Sequence, residues 1–479
     1  MDEVADRALN QAQVSGATYA DVRAIIQRSE VISVKNGRVE AFARSTSEGF
    51  GVRVIAGGAW GFASSNQLTT AEADRVAALA VAIARASAQA KKADVRLSPL
   101  PAIQGSYATP VGRDPLEVST EVKLALLLQA DEAMRRVKGL TVAESSLEAA
   151  VEDKLFASTE GSRLRQRIVT CGAGIEATAV TPDEVQTRSF PNSFGRQAGT
   201  AGWEFVEALR LADNAEQTAS EAVELLSARP CPPMVTTLIL DGTQLALQVH
   251  ESCGHPIELD RVFGMEAAYA GTSFLTTDKL GTFRYGSDLV NIFADATSPA
   301  GLGTFGWDDE GVPAQRTPIV EAGTFVGYMS SRETAPLIGQ ASSGTMRADG
   351  WNRIPLIRMT NVNLEPGAWA LDDLIADTDD GIMMAVNKSW SIDDKRLNFQ
   401  FGTEMAWEIK SGKKAALLKN ATYTGITPEF WGGCDAICNR DHWQLWGTTN
   451  CGKGQPGQTM YVGHGAAPAR FRNVRVGII

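Results

Sequence analysis

His250-Glu251-Ser252-Cys253-Gly254-His255, entered from the apolar run Leu245-Ala246-Leu247-Gln248-Val249, is the stretch on which the reading of this chain turns. Two histidines bracket a glutamate, in a chain with only four histidines. Imidazole nitrogen is a good zinc ligand, and a carboxylate beside the metal can take a proton from water. His250 and His255 are therefore candidate ligands, and Glu251 a candidate general base, of a metallopeptidase. The common motif, H-E-x-x-H, sets its histidines four residues apart on one helical face. Here they are five apart. At roughly 100° per residue, five steps overshoot to about 140°, and a regular helix would aim the rings apart. The spacing predicts a helix distorted or broken inside the motif, by a π-bulge or an unwound last turn. Gly254 permits unusual backbone angles, and Pro256 stops regular helix just after His255. The plain alternative is a frayed helix end with two incidental histidines.

A catalytic zinc needs a third protein ligand and one open position. Cys451 is the best candidate, in Asn450-Cys451-Gly452-Lys453-Gly454, read as a tight glycine-rich loop with Lys453 favouring the thiolate. A small residue buried in a turn is its ordinary alternative. Cys434, Cys438 and His442 form a rival cluster of zinc-type ligands, without a fourth member or an obvious catalytic carboxylate. Cys253, inside the motif, is expected to point away from the metal. Glu258 and Asp260 are either hydrogen-bond acceptors for the ligand histidines or a solvated pair.

The chain has 479 residues, 44% hydrophobic and 21% charged, which are the proportions of a globular protein of two or three domains. A net charge of −11 argues against nucleic acid or an anionic membrane as partner. No run of eighteen apolar residues suggests a membrane span, and the acidic start Met1-Asp2-Glu3 does not read as a secretory signal. Six cysteines do not make a disulfide framework, so a reducing cytoplasm is expected.

The first half reads as α+β: an antiparallel sheet with long helices. A helix is expected over 3–15. Strands are expected over 18–28, 30–35, 38–46, 49–56 and 59–65, with hairpins at Asn36-Gly37 and Gly57-Gly58. A helix follows from Thr69 to about Ala90, with Thr70 as its cap. An irregular connector over 93–114 leads to a helix from Pro115 to Val137. Strands then occupy 140–190, with a hairpin near Glu160-Gly161, and a helix covers 203–228. Pro230, Pro232 and Pro233 mark a boundary between an N-terminal domain, 1–228, and a mostly-β C-terminal domain, 234–479, that begins with the strand Met234–Leu240 and carries the metal-binding helix.

Five separated stretches resemble the TldD/PmbA peptidases over essentially the whole chain. Gly51-Val52-Arg53-Val54-Ile55 followed by Gly58-Ala59-Trp60-Gly61-Phe62-Ala63-Ser64 looks like the family's N-terminal hairpin. His250–His255 matches its H-E-x-x-x-H motif. Asp308-Asp309-Glu310-Gly311-Val312-Pro313-Ala314-Gln315-Arg316-Thr317, Arg358-Met359-Thr360-Asn361 and Asn450-Cys451-Gly452-Lys453-Gly454-Gln455 are similar to further signatures. The resemblance implies a cytoplasmic zinc peptidase acting on unfolded or small peptides inside a closed dimer chamber, with Zn2+ on His250, His255 and Cys451 and Glu251 as base. It also implies a homodimer, or a heterodimer with an inactive PmbA-like subunit. The other reading is a catalytically silent assembly subunit, against which the retained metal residues argue. His464 stands where the family pattern leads one to expect an acidic residue. Tyr285, Arg347, Arg358 and His464 are all open as oxyanion helpers.

Overall fold

The computed structural model describes residues 1–477. Asn36 and Gly37 both take left-handed backbone, with φ of 47° and 79°. That conformation matches the right-handed twist of two flanking strands. It joins β1 (Tyr19–Lys35) to β2 (Arg38–Ala56) in one long antiparallel ladder. The pairs of short strands expected on either side are therefore single strands. Gly57-Gly58 turns β2 into β3 (Ala59–Ser65) in the same way.

The sheet continues through β4 (Gln104–Ala108), β5 (Val142–Ser158) and β6 (Arg163–Val180), in the order β3-β2-β1-β5-β6-β4. β4 lies in the stretch read as irregular connector, and it pairs with β6 in parallel. Side chains alternate across a strand. On β1 the even positions Ala20, Val22, Ala24, Ile32 and Val34 are buried in the two clusters that α1 (Asp2–Val14), α2 (Thr70–Ser87), α3 (Thr120–Arg135) and the helix Leu211–Ser227 build with the sheet. Helices thus cover one face.

The opposite face carries charge and meets the C-terminal half. Arg53 pairs with Asp21 at 2.7 Å and Glu310 at 3.2 Å, and Lys154 with Asp309 at 3.0 Å. Arg332 of the C-terminal half reaches Glu160 at 2.7 Å. The stretch Asp308-Asp309-Glu310 is therefore an ionic seam between the halves. Breaking such a pair strands a buried charge, so the seam fixes how the sheet sits.

Three helix boundaries differ from the sequence reading. Thr69, not Thr70, caps α2, its hydroxyl accepting from Glu72 N–H at 3.3 Å. Pro115 opens a single 3-10 turn, Pro115–Glu117, and α3 starts separately after the cap Ser119. The helix over 203–228 is two helices, Trp203–Ala208 and Leu211–Ser227, broken where Arg210 turns left-handed at φ 50°.

In the C-terminal half, strand Met234–Leu240 lies between Asp380–Ile392 and Ala469–Val476. Ala469–Val476 pairs on with Thr422–Ile426, that strand with Asn398–Lys410, and Asn398–Lys410 returns to Asp380–Ile392. Five strands thus close on themselves. Phe399, Phe401, Tyr423, Phe430 and Phe471 pack together, with Phe430 and Phe471 stacked at 4.1 Å. The helix Gly242–Val249 leaves the end of Met234–Leu240, and its Gln244 and Gln248 both hydrogen-bond the Tyr423 hydroxyl at 2.9 Å. No helix among the described residues is long and apolar enough to cross a membrane.

Candidate metal centre

Asp241 caps the helix Gly242–Val249, accepting from Thr243 N–H at 3.0 Å. At His250 the helix widens into a π turn, His250–Gly254, and His255 N–H donates to the His250 carbonyl. An i→i+5 bond makes five residues close to one turn. The His250 and His255 rings therefore share a side, with centroids 4.9 Å apart and planes at 86°. The five-residue spacing is met as the sequence required. Gly254 serves differently from expectation. Its backbone is ordinary helix, φ −56° and ψ −57°, but a Cβ there would collide with Met359 Sδ. The glycine admits a close neighbour, not an unusual angle.

Cys451 arrives on a strand, Gln444–Lys453, paired with Gln458–Ala466, and not in a loop. His250, His255 and Cys451 are all buried and can offer ligand atoms within 4.8 Å of one another. Cys451 Sγ is 3.8 Å from His255 Nε2. A tetrahedral ion with bonds of about 2.0–2.3 Å would hold such atoms roughly 3.3–3.8 Å apart. Two imidazoles and a thiol, nearly converged and dry, suit a zinc-like cation.

Protonation supports the fit. Burial raises the Cys451 thiol pKa, but the neighbouring His255 and Arg358 outweigh it, and the net shift is below the ordinary 9.0. Burial holds His250 below its ordinary 6.5, and His255 and His464 well below it. His464 Nδ1 lies 3.2 Å from the Val362 carbonyl, which can only accept, so Nδ1 carries the proton. Neutral His464 then accepts at Nε2, and His250 Nδ1 donates to it at 2.7 Å. That leaves the lone pair of His250 on Nε2. His255 Nδ1 donates to Glu258 at 2.9 Å, which likewise frees its Nε2. Both rings are thus in the tautomer a cation requires.

Glu258 is fully buried, not solvated, and Lys453 Nζ lies 3.0 Å from it, 2.8 Å from Asp260 and 3.6 Å from Glu266. Lys453 therefore backs the His255–Glu258 pair. Lys453 was expected to favour the thiolate, whereas the groups that lower the Cys451 thiol most are His255 and then Arg358.

The cavity beside these residues is about 480 Å³ and takes in Glu251, Trp390, Arg396, Asn450 and, from the N-terminal half, Phe194. Arg396 Nη1 ion-pairs with Glu251. Sequence reasoning missed Arg396, because a basic residue in the turn between two strands reads as solvent-facing. Of the four open oxyanion helpers, none is free in this cavity. Tyr285 donates to the Ser252 carbonyl at 2.9 Å and Arg358 donates to the Cys451 carbonyl at 2.5 Å. His464 is engaged with His250, and Arg347 lines a different cavity.

The rival cluster does not assemble. Cys434 and Cys438 lie in separate apolar clusters, and His442 Nε2 accepts from Leu371 N–H at 3.2 Å near the surface. Burial pushes both thiols up to about 12, as for structural cysteines. Cys253 is buried beside Tyr285, its thiol also pushed up to about 12 by burial.

Family models described as PmbA/TldA metallopeptidase domain 1, central domain and C-terminal domain match residues 20–89, 113–229 and 233–477. The chain belongs to the PmbA/TldD metallopeptidase family. A metalloprotease of Methanocaldococcus jannaschii is 30% identical over 458 residues, covering 94% of this chain and 95% of that one. A metalloprotease TldD homolog of Haemophilus influenzae is 27% identical, covering 96% and 92%. TldE of Thermococcus kodakarensis has the same fold, with a TM-score of 0.76 at 16% identity over 99% of each chain. Membership makes this chain a metallopeptidase, and His250, His255 and Cys451 form a group that could hold a metal ion.

Proposed function

We propose that the protein is a zinc peptidase that hydrolyses unfolded or small peptides of varied sequence in a closed dimer chamber of the cytoplasm. The observation that carries this reading is one cavity holding His250, His255 and Cys451 together with Glu251. His250, His255 and Cys451 would hold Zn2+, which would supply Lewis acidity to acidify an attacking water and polarise the scissile carbonyl. Glu251 accepts the water's proton and later delivers it to the leaving amine. Arg396 ion-pairs with Glu251 and so orients its carboxylate. His464 and Glu258 hold the two imidazoles in their donor-ready tautomer.

Substrate breadth is supported by a sheet edge. β3 pairs with β2 only from Phe50 to Ala56, and the outer edge of β2 from Arg38 to Gly49 has no strand partner among the described residues. An extended peptide can add to such an edge through main-chain hydrogen bonds, which read backbone more than side chains. The two halves, 1–228 and 234–479, act as domains that enclose the metal cavity between them. The likeness to TldE favours a second reading, a silent assembly subunit, but the complete ligand set and Glu251 weigh against it. Pairing is with a second copy or with a PmbA-like subunit.

The test is one peptide segment offered free and then embedded in a stable fold, with metal content measured on the same sample. We expect one zinc per chain and cleavage of the free segment alone. Equal cleavage of both forms would replace the chamber with an open cleft. Cleavage insensitive to chelator, by a chain without zinc, would remove the metallopeptidase mechanism.

A further inference from the structure

A second cavity, of about 380 Å³, lies between the charged face of the N-terminal sheet and the C-terminal half. Gln27, Glu152, Lys154 and Gln166 line it from the sheet, and Arg347 and Tyr461 from the other side. It shares Thr449 with the metal cavity. The wall between them is the strand pair that carries Cys451. That pair is irregular here: Thr448 faces Val462 and Cys451 faces Met460, so Thr449 and Asn450 bulge opposite Tyr461 alone. Thr449 is two residues from Cys451, or about 7 Å of extended chain. The shared Thr449 makes the two cavities neighbours.

Each acid on its wall is committed. Lys154 lies 3.2 Å from Glu152 and 3.0 Å from Asp309, and Asp309 also faces Arg23 at 3.7 Å. Asp308 accepts from the backbone of Glu310, Val312 and Met346, and Asp349 from Thr459 N–H at 2.8 Å. Arg347 has backbone partners but faces no acid among the described residues. Its Nη1 donates to the Met359 carbonyl at 2.8 Å and the Tyr461 carbonyl at 2.7 Å, and its guanidinium lies 5.5 Å from the Phe305 ring centre. No carboxylate among the described residues lies within 4 Å of it. Nε and Nη2 have no protein partner and are not sealed from the cavity. Arg23, Arg53 and Arg332 on the same seam each face a carboxylate. Arg347 is half-buried and turns this unpaired end of its guanidinium to the cavity. Burial and the nearby Arg358 pull the Arg347 guanidinium down to about 10, against the more distant Asp309 and Glu152.

We propose that this cavity is a peptide subsite in which Arg347 receives a carboxylate carried by the bound peptide. A planar guanidinium with two open N–H groups fits a carboxylate in a fork. The carboxylate comes either from the peptide's C-terminus, which would bias cleavage toward chain ends, or from an Asp or Glu side chain near the scissile bond. The proposal rests on the peptidase reading above.

The experiment measures binding to the zinc-loaded full chain carrying Glu251→Gln, so that no probe is consumed. The probes are N-acetyl-tetra-alanine as free acid, the same peptide as C-terminal amide, and an amide with one internal Glu. We expect one of the two acidic probes to bind at least tenfold more tightly than the neutral amide. The free acid winning assigns the C-terminus, and the Glu peptide winning assigns a side chain. Arg347→Gln should bring the preferred probe to within about twofold of the neutral amide, with circular dichroism and the thermal midpoint of the variant reporting whether it is folded. Arg347→Lys should keep part of the preference, since charge remains without the fork. Equal binding of all three probes by the parent overturns the proposal. So does a preference that survives Arg347→Gln, or one abolished by Arg396→Gln instead, which would put the carboxylate in the metal cavity. Should Arg347→Gln fail to fold, the parent's ratio and Arg347→Lys decide alone. Cleavage of the neutral amide by the parent enzyme is scored separately. An acid preference without any cleavage sinks the peptidase reading and leaves the subsite; cleavage without acid preference does the reverse.

Discussion

His464 Nε2 lies 2.7 Å from His250 Nδ1, so a neutral imidazole, and not a carboxylate, sets the tautomer of one candidate metal ligand. The other, His255, is set by the Glu258 carboxylate at 2.9 Å. The centre is asymmetric. A carboxylate makes its partner imidazole more basic, whereas a second imidazole orients without adding negative charge. His464 thus supplies the hydrogen bond without a negative charge.

His464→Ala should weaken metal binding by about 10–100-fold, because His250 loses the acceptor that fixes its ring. His464→Asp should restore most of that affinity. Competition against a coloured chelator reads both. Parent-like affinity in the alanine variant would mean that the His250 ring is held by its packing alone.

Glu251→Gln keeps shape and removes the proton acceptor. We expect turnover to fall by about 10²–10⁴-fold with metal content near normal. His250→Ala and Cys451→Ala should lose metal and activity together. A Cys451→Ala chain that held zinc as tightly as the parent would require another third ligand.

Lys453 is surrounded by three buried carboxylates, those of Glu258, Asp260 and Glu266. Lys453→Met should cost about 3–5 kcal/mol, since the acids are left uncompensated. Adding Asp260→Asn should recover part of the loss. Urea unfolding of the single and double variants tests the pair, and a near-neutral Lys453→Met would show the carboxylates already protonated.

The metal-free protein should lose stability on mild acidification. Burial holds His250 below 6.5 and His255 and His464 well below it. The unfolded chain therefore binds more protons than the folded one in this range. The stabilising contribution is complete above about 6.5 and is lost as pH falls toward the depressed folded values. At its steepest the loss is about 1.4 kcal/mol per pH unit for each histidine. A urea midpoint unchanged between pH 7 and pH 5 would mean that these rings reach water.

What the sequence determined by itself are the features closed within a turn or two of chain. Asn36-Gly37 required a hairpin because both residues accept left-handed backbone. The spacing of His250 and His255 called for a helix distorted by a π-bulge or an unwound last turn, because no regular helix brings such residues to one side, and the structure has the π turn. The resemblance in five stretches carried the family. Tertiary structure decided what depends on distant parts of the chain. Arg396 meets Glu251 across 145 residues, and His464 meets His250 across 214. Neither contact has a local signal: a turn arginine looks exposed and a strand histidine looks like core until the strands close. Lys453 was read with its neighbour Cys451, yet three carboxylates from a separate segment claim it. Local geometry follows from backbone dihedrals, which each short stretch carries within itself. The partner of a buried charge follows from which segments the closed sheet brings together, and the shortage of counter-charge inside a dry interior then selects among them.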